Sequence, residues 1–173
     1  MVVARTQAER TETTRQALVA AGRELFATKG FKATATEEVV ARAGVTRGAL
    51  YHHFRDKVDL FRAVYSEVEQ EMVARVTSAM DSDDVIAAGE AGVRAYLEAC
   101  REPEFQQICH VDGPHVLGFD EWRIAARSHG VEMIGPSLKR AIDEGLIKDR
   151  EVDPLAHIIH GALMEAGMYV SAT

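Results

Sequence analysis

The chain has few cysteines and no long apolar run, and each absence excludes a class of protein. Two cysteines in 173 residues, with no apolar signal segment at the N-terminus, do not suit a disulfide-stabilised secreted domain. We therefore expect a reducing, cytoplasmic location. No run of 18 apolar residues occurs, so no membrane-spanning helix is expected. Hydrophobic residues still make up 47% of the chain, which is enough to form a sizeable core.

Sequence motifs of common enzymes are also missing. The chain has no Gly-x-Ser-x-Gly elbow, phosphate-binding glycine loop, His-Glu-x-x-His pair or dinucleotide fingerprint. Carboxylates are plentiful, but they are spread along predicted helix faces. We expect a protein that is not an enzyme and that has no cofactor and no metal ligands.

The charges are divided unevenly between the two ends of the chain. The net charge is −7, yet residues 1–58 carry ten Lys and Arg against six Asp and Glu, a net charge of +4. The remaining residues carry −11. Because an acidic body is repelled by a duplex, this division favours nucleic-acid binding at the N-terminal end.

A helix-turn-helix pattern lies within the basic part, at residues 36–57. Thr36 is the predicted N-cap of the first helix, Gly44 its left-handed C-cap, and Thr46 the N-cap of the second helix. At helical spacing one side of the second helix carries Leu50, His53, Phe54 and the Thr46 cap. The other side carries Gly48, Tyr51, His52 and Arg55, with Arg47 at the edge. The alternative is an ordinary helical hairpin with a polar outer face.

The outward face has the side chains that a DNA reader needs. Arg47 suits bidentate contact with guanine, while Tyr51 and His52 suit hydrogen bonds to phosphates or base edges. Gly48 costs a helix about 1 kcal/mol relative to Ala, a cost that makes sense where the backbone approaches DNA. Lys57 starts the next helix and suits a phosphate contact.

The segment from Arg15 to Phe61 resembles the DNA-binding domain of the TetR/AcrR family of transcriptional regulators. The residues that carry the resemblance are Ala20, Ala21, Leu25, Phe26, Lys29, Gly30, Phe31, Thr34, Thr36, the run 43–54, Lys57, Leu60 and Phe61. The resemblance implies an all-α fold with an N-terminal three-helix DNA-binding domain and a larger helical domain for effector binding and dimerisation. It also implies that DNA is met by Thr36, Arg47, Gly48, Tyr51, His52 and Lys57; we add Thr34 and Thr46 to this set.

The expected organisation has three parts: an arm at 1–11, the helix-turn-helix domain at 12–58, and the helical body at 59–173. The arm contains Arg5 and Arg10; a solvated tail is favoured over a minor-groove contact. Apolar spacing and caps predict helices at 14–29 and 57–80, from the break at 81–84 to about 101, and from 103 to a stop at 112–114. Further helices are expected around Trp122, kinked or interrupted at Pro136, and from Asp153-Pro154 onward.

The stretch around residues 100–122 is the candidate effector site. Its side chains, with one from the preceding helix, mix apolar and polar groups: Tyr96, Cys100, Phe105, Cys109, His115, Phe119 and Trp122. A small-molecule pocket is the favoured interpretation, and it agrees with the position of effector pockets implied by the resemblance. A packed core with surface histidines and a metal or thiol-redox sensor remain as alternatives; Cys100 and Cys109 can approach only if the chain bends at Pro103.

The final helix is the candidate dimer interface. Its apolar face comprises Leu155, Ile158, Ile159, Ala162, Leu163 and Ala166, and Gly161 and Gly167 would let a partner helix approach closely. His157 and His160, three residues apart, are expected at the surface or interface. The resemblance implies a four-helix bundle across the dimer, but the sequence ends at Thr173, so we expect a short family member or a truncated form.

These observations together predict a DNA-binding transcriptional regulator. We expect a homodimeric repressor that leaves its operator when a small-molecule effector binds the body, although activation is also open. The alternatives are a metal- or redox-responsive regulator with the same DNA-binding head, and an effector-independent DNA-bridging protein. The effector, the operator and the regulated genes cannot be read from the sequence.

Overall fold

The computed structural model describes residues 7–171, except for the side chain of Ser128. Nine α-helices and one π-helical segment form this part of the chain, which contains no strand, and the all-α prediction is confirmed. The helices are α1 Gln7–Lys29, α2 Thr36–Ala43, α3 Arg47–His53, α4 Lys57–Ala79, α5 Val85–Ala99, α6 Pro103–Phe105, the π-helical segment Gln106–Asp112, α7 Gly113–Val116, α8 Phe119–Asp143 and α9 Val152–Ser171.

The first three helices, with the start of α4, form the head. Its core is a cluster of Phe26, Phe31 and Phe61, whose ring centroids lie 5.3–5.6 Å apart. Leu50 of α3 and Val39 of α2 are fully buried against this core. These contacts fix α3 by its inner face and leave its outer face free.

The turn between α2 and α3 follows the sequence prediction closely. Gly44 has φ 67°, a left-handed conformation that favours glycine, and it ends α2. Thr46 caps α3 by accepting the backbone N–H of Ala49 at 3.2 Å. The predicted cap of α2 is wrong, because Ala35 holds that position and the carboxylate of Glu38 accepts its N–H at 3.1 Å.

The predicted flexible arm is wrong over residues 7–11, because α1 begins at Gln7. Hydroxyl groups in this first part of the helix, at Thr11 and Thr13, donate to carbonyl oxygens four residues earlier. Arg10 is therefore an exposed residue on a helix, while Arg5 lies outside the described residues.

The body is built on α4, which runs from the head along its full length. Leu60, Val64, Val68 and Val76 are buried on one stripe of α4, as its apolar spacing predicts. Helix α5 packs beside α4, and α8 and α9 form an antiparallel pair across them, so that the four helices surround an interior space. Asp84 caps α5 by accepting the N–H groups of Ile86 and Ala87.

Two predicted interruptions of helix in the body do not occur, while the alternative of a kink at Pro136 stays a prediction. The chain stays helical from Pro103 to Val116, and the expected stop at 112–114 is only the junction between the π-helical segment and α7. Pro114 lies in the first turn of α7, where a missing N–H is tolerated. Pro136 lies inside α8, which it does not interrupt.

No helix within the described part of the chain has the length and apolar character needed to span a bilayer.

Candidate DNA interface and ligand cavity

Helix α3 presents its predicted reading face to solvent. Tyr51 has 44% of its surface exposed, and Gly48, His52 and the Thr46 cap are exposed as well. On the opposite side Leu50 is fully buried and Phe54, the residue that ends the helix, is 3% exposed. The face is thus available to a duplex while the helix is held from behind.

Arg47 is exposed but already has partners in the head. Its Nη1 lies 3.1 Å from Oε1 of Glu37, and its guanidinium carbon lies 5.5 Å from the centroid of the Tyr51 ring. The side chain of Arg47 is 65% exposed, so the pair is accessible to solvent. Bidentate binding of Arg47 to a base edge would therefore compete with its contact to Glu37.

The structure changes the interpretation of two other predicted DNA contacts. Thr34 is 1% exposed, and its hydroxyl donates to the carbonyl of Gly30 at 2.9 Å, so its side chain is part of the core and not of the interface. The ammonium of Lys57 donates to the carbonyls of Phe31 and Thr34, each at 2.9 Å. Lys57 thus fastens the loop between α1 and α2 and has one N–H left for a phosphate.

A cavity of about 330 Å³ lies inside the body, among α4, α5, α8, α9 and the π-helical segment. Its wall is mostly apolar and includes four methionines, Met72, Met80, Met133 and Met164. A space of this size falls within the range of small-molecule sites. Methionine side chains are flexible and polarisable, so the wall can adapt to ligands of different shapes.

Four of the seven predicted effector residues line this cavity: Tyr96, Phe105, Cys109 and Trp122. The other three do not. His115 is exposed and its Nδ1 is 2.7 Å from the carbonyl of Val111, Phe119 is 62% exposed, and Cys100 is buried behind the wall.

The sequence analysis missed a buried acidic residue in the cavity wall. Glu69 of α4 is 5% exposed, and its Oε1 accepts the hydroxyl of Tyr65 at 3.2 Å. Its Oε2 lies 3.4 Å from Nδ1 of His129 on α8. The pKa of Glu69 is raised overall, because burial raises it and His129 and Tyr65 offset only part of that effect. The signal was present in the sequence, since Glu69 lies four residues after Tyr65 on the apolar stripe.

Two more histidines line the cavity, and both have lowered pKa values. Burial lowers the pKa of His110 to about 4, and the Nδ1 atom of this ring is 2.7 Å from the hydroxyl of Ser171. Burial also lowers the pKa of His160, whose Nε2 is 3.0 Å from the carbonyl of Ala126. Both rings are neutral at pH 7. His160 was expected at the surface or interface, and its place in the wall corrects that expectation.

The two cysteines are buried free thiols. Burial raises the pKa of Cys100 to about 11 and raises that of Cys109 as well. Since the thiolate is the reactive form, neither has the environment of a redox-sensing cysteine. Within the described residues, no group of three or more His, Cys, Asp or Glu side chains is arranged to hold a metal ion.

The cavity wall is connected directly to the head. Cys109 and His110 of the π-helical segment face the cavity, and Asp112, at the end of the same segment, accepts the backbone N–H of Phe31 at 2.7 Å. Gln107 also donates to Asp112, at 3.0 Å. The segment therefore joins the ligand cavity to the loop that precedes α2.

A second connection is an ion cluster around Arg23 of α1. Its guanidinium donates to Glu104 at 2.7 and 2.8 Å, to Glu71 at 2.6 Å twice, and to Glu67 at 3.1 Å. Hydrogen bonds to Glu104 and then to Glu71 raise the pKa of Arg23. The cluster ties the head to α4 and to α6, next to the cavity residue Phe105.

The residues of α9 proposed for a dimer divide between two faces. Ile158 is 68% exposed and Ala162 is exposed, whereas Ile159 and Leu163 line the cavity of the same subunit. Leu155 and Ala166 are half-buried. Gly167 is buried, and a Cβ there would lie 2.6 Å from the hydroxyl of Tyr96. Ile159 and Leu163 thus face the cavity and Gly167 packs closely against Tyr96, while an intersubunit face on α9 stays a prediction.

Comparisons with known proteins agree with the two halves of this arrangement. Residues 18–64 match the family model described as bacterial regulatory proteins, tetR family, and residues 86–173 match the tetracyclin repressor-like C-terminal domain. The transcriptional regulator SrpR of Pseudomonas putida is 30% identical over 83% of this chain and 68% of its own length. The transcriptional repressor BepR of Brucella suis is 34% identical over 60% of this chain and 50% of its own.

A solved structure extends the likeness over nearly the whole chain. The TetR-family transcriptional regulator from Pectobacterium atrosepticum superposes with a TM-score of 0.84 and 35% sequence identity, covering 98% of this chain and 86% of that one. The matches include both the DNA-binding head and the helical body, and the related proteins are DNA-binding regulators and not enzymes. The chain therefore belongs to the TetR family of transcriptional regulators.

Proposed function

We propose that this TetR-family regulator is a repressor that binds operator DNA through α3 and releases it when a small molecule occupies the cavity in the body. The observation that carries the proposal is the π-helical segment, which lines the cavity with Cys109 and His110 and binds the head through Asp112. BepR, a relative of this chain, is named a repressor. DNA binding also implies a location where DNA is present, which fits the cytoplasm expected from the sequence.

The coupling has a simple physical basis. A ligand that displaces the π-helical segment strains or breaks the bond between Asp112 and the N–H of Phe31. Lys57 binds the carbonyls on the other side of the same loop, so the loop transmits the displacement to α2 and α3. Two heads on one operator must keep a fixed separation, and a small change in head orientation therefore lowers operator affinity.

Trp122 provides a local probe for this proposal. It is the only tryptophan in the sequence, it lines the cavity, and its indole N–H donates to the carbonyl of Cys109 at 2.9 Å. Compounds from a screen that change its fluorescence should also release operator DNA, and Asp112→Asn should weaken the release without abolishing the fluorescence change. Ligands that alter the fluorescence but never the operator affinity would contradict effector control.

The roles of the DNA-contacting residues are a second part of the proposal. Arg47 reads a base, while Thr36, Thr46, Gly48, Tyr51 and His52 support or position the contact, and Lys57 supplies a phosphate contact. Arg47→Ala should cost about 1–3 kcal/mol of binding free energy and relax the preference at one operator position. Lys57→Ala should weaken all sequences alike and, because it frees the loop carbonyls, also lower the melting temperature. Equal loss on all sequences for Arg47→Ala would contradict base reading.

The dimer is proposed on the outer face of α9. Ile158 and Ala162 are exposed there, and Tyr169 on the same helix is 69% exposed. Two heads held roughly 34–36 Å apart would read a near-palindromic operator. Ala162→Glu should give monomers with a folded head and little operator affinity in sedimentation and binding assays. An unchanged dimer in that variant would move the interface elsewhere.

The alternatives predict different results in the same assays. A metal- or redox-responsive regulator would release operator DNA on metal addition or mild oxidation, with no organic compound active. The raised pKa values of both thiols argue against oxidation as the signal. A DNA-bridging protein would protect DNA without sequence preference in footprinting and would not respond to any ligand.

A further inference from the structure

The cavity has one feature that an apolar ligand alone does not explain. Glu69 places a carboxylate in a largely apolar wall, where a charge is costly unless it is paired. Tyr65 donates to Oε1, but among the side chains that the structure describes Oε2 has only a long contact of 3.4 Å, with Nδ1 of His129. This Nδ1 atom of His129, 3.4 Å away, is itself buried and has no hydrogen-bond partner among the described residues.

The rest of the wall carries no fixed positive charge. Among the described residues that line the cavity there is no lysine and no arginine. The other two histidines, His110 and His160, are neutral at pH 7 because burial lowers their pKa values. An anionic ligand would therefore bring a second negative charge next to Glu69 with little to compensate it.

Aromatic rings line the cavity near this carboxylate. Tyr65, Tyr96, Phe105 and Trp122 all contribute to the wall. The faces of such rings attract cations as well as apolar groups. A positively charged nitrogen with an apolar substituent would thus meet a carboxylate, ring faces and methionine side chains in the same space.

We propose that the effector is a hydrophobic amine, bound as its ammonium ion with one N–H donated to Oε2 of Glu69 and with its apolar part along the methionine and aromatic wall. The ammonium replaces His129 as the partner of the carboxylate, which removes the poorly aligned contact between the two side chains. This inference rests on the proposed effector function, because it assigns the chemical class of the ligand to the same cavity.

The test compares ligands that differ only in their polar group. One series is octylamine, octanol and octanoate, and the other is phenylbutylamine, phenylbutanol and phenylbutyrate. Calorimetric titration of the full-length protein should show the amine binding most tightly in each series and the carboxylate most weakly. Alcohol or carboxylate binding as tightly as the amine in both series, or no amine binding at all, would overturn the proposal.

Variants locate the effect at the carboxylate. Glu69→Gln keeps the shape of the side chain and should weaken amine binding about tenfold or more, while alcohol binding stays within about twofold. Glu132→Gln makes the same chemical change on the exposed face of α8 and should have no effect. Should Glu69→Gln fold poorly, His129→Leu is the second variant, and it should keep or strengthen amine binding. An unchanged amine affinity in Glu69→Gln, or loss of the amine preference in His129→Leu, would refute the role of Glu69.

Operator release is measured separately with the same six ligands. Amines that bind with the expected preference but never release operator DNA would support the assigned ligand class of the cavity and refute effector control. Alcohols that bind and release DNA as well as the amines do would refute this inference and leave effector control standing.

Discussion

Replacing Arg23 with glutamine should show how much of the stability depends on the ion cluster between head and body. The guanidinium of Arg23 makes five hydrogen bonds to the carboxylates of Glu67, Glu71 and Glu104, and its side chain is 21% exposed. The three carboxylates are 37–54% exposed, so solvent screens each pair. Removing Arg23 breaks all three pairs and leaves the acidic groups facing one another.

The expected loss follows from these exposures. Solvent-accessible ion pairs contribute about 0–1 kcal/mol each, and a partly buried bidentate network lies at the upper end of that range. Arg23→Gln should therefore lower the free energy of unfolding by about 1–3 kcal/mol. For a chain of this size that corresponds to a fall in melting temperature of roughly 3–10 °C. Thermal unfolding followed by circular dichroism measures the change.

Salt and a matched variant make the test specific. At 1 M salt the screening length falls to about 3 Å, so repulsion among the three carboxylates weakens and the loss should shrink. Arg75→Gln is the control, because Arg75 makes a single 2.7 Å contact, with Glu102, and both side chains are about half exposed. Its loss should stay below about 1 kcal/mol. Equal losses for the two variants, at either salt concentration, would refute the argument that the Arg23 cluster acts as a network.

Three further predictions concern the reading face, the cavity and the packing of α9. Glu37→Gln removes the carboxylate that contacts Arg47 and should tighten operator binding about two- to fivefold in a fluorescence anisotropy titration. Weaker operator binding would contradict the idea that Glu37 and DNA compete for the guanidinium of Arg47. The pKa of His110 in the folded protein is about 4, below the usual value of 6.5, so its contribution to stability is present above pH 6.5 and is lost as the pH falls toward 4. The free energy of unfolding of His110→Phe, measured with denaturant, should therefore depend less on pH across this window. An unchanged pH dependence of that free energy would count against a buried neutral imidazole. Gly167→Ala should cost about 1–3 kcal/mol because its Cβ would overlap the side chains of Tyr96 and Cys100. Gly89→Ala, inside α5 with nothing within 4 Å, is the control and should raise the melting temperature; similar results for the two would contradict the close packing.

The sequence predicted those features that depend on local chemistry. Gly44 and Thr46 mark the turn of the helix-turn-helix because each satisfies a backbone requirement of its own helix end. Asp84 marks the start of α5 for the same reason. The buried stripe of α4 was predictable because it repeats at helical spacing. These signals predicted the helical character of the chain and the exposed face of α3, whereas the arrangement of a DNA-binding head and a helical body was predicted from the family resemblance.

Features that depend on distant contacts were not predictable in this way. Thr34 belongs to the family pattern, but only the packing of the loop shows that its hydroxyl is buried. His115 and Phe119 were assigned to the pocket because they lie in the stretch of mixed apolar and polar side chains around residues 100–122, and only the folded chain shows that both are exposed. Ile159 and Ile158 are adjacent in sequence, yet one lines the cavity and the other faces solvent. The pairing of Glu69 with His129 joins two helices that only the folded chain brings together.

Two hydrogen bonds between head and body also bear on the construction of hybrid regulators: the backbone N–H of Phe31 donates to Asp112, and the guanidinium of Arg23 donates to Glu104. The junction between α3 and α4 is the obvious place to divide the chain, but the donor and the acceptor of each hydrogen bond then lie on opposite sides of the junction. A head joined at that point to the body of another regulator would keep these hydrogen bonds only if the new body has acidic residues at the positions of Asp112 and Glu104. Hybrids that keep these two acids should retain ligand response, and those that lack them should bind DNA whether or not ligand is present. The exchangeable unit of this protein is therefore the head together with the acidic positions of the body that contact it.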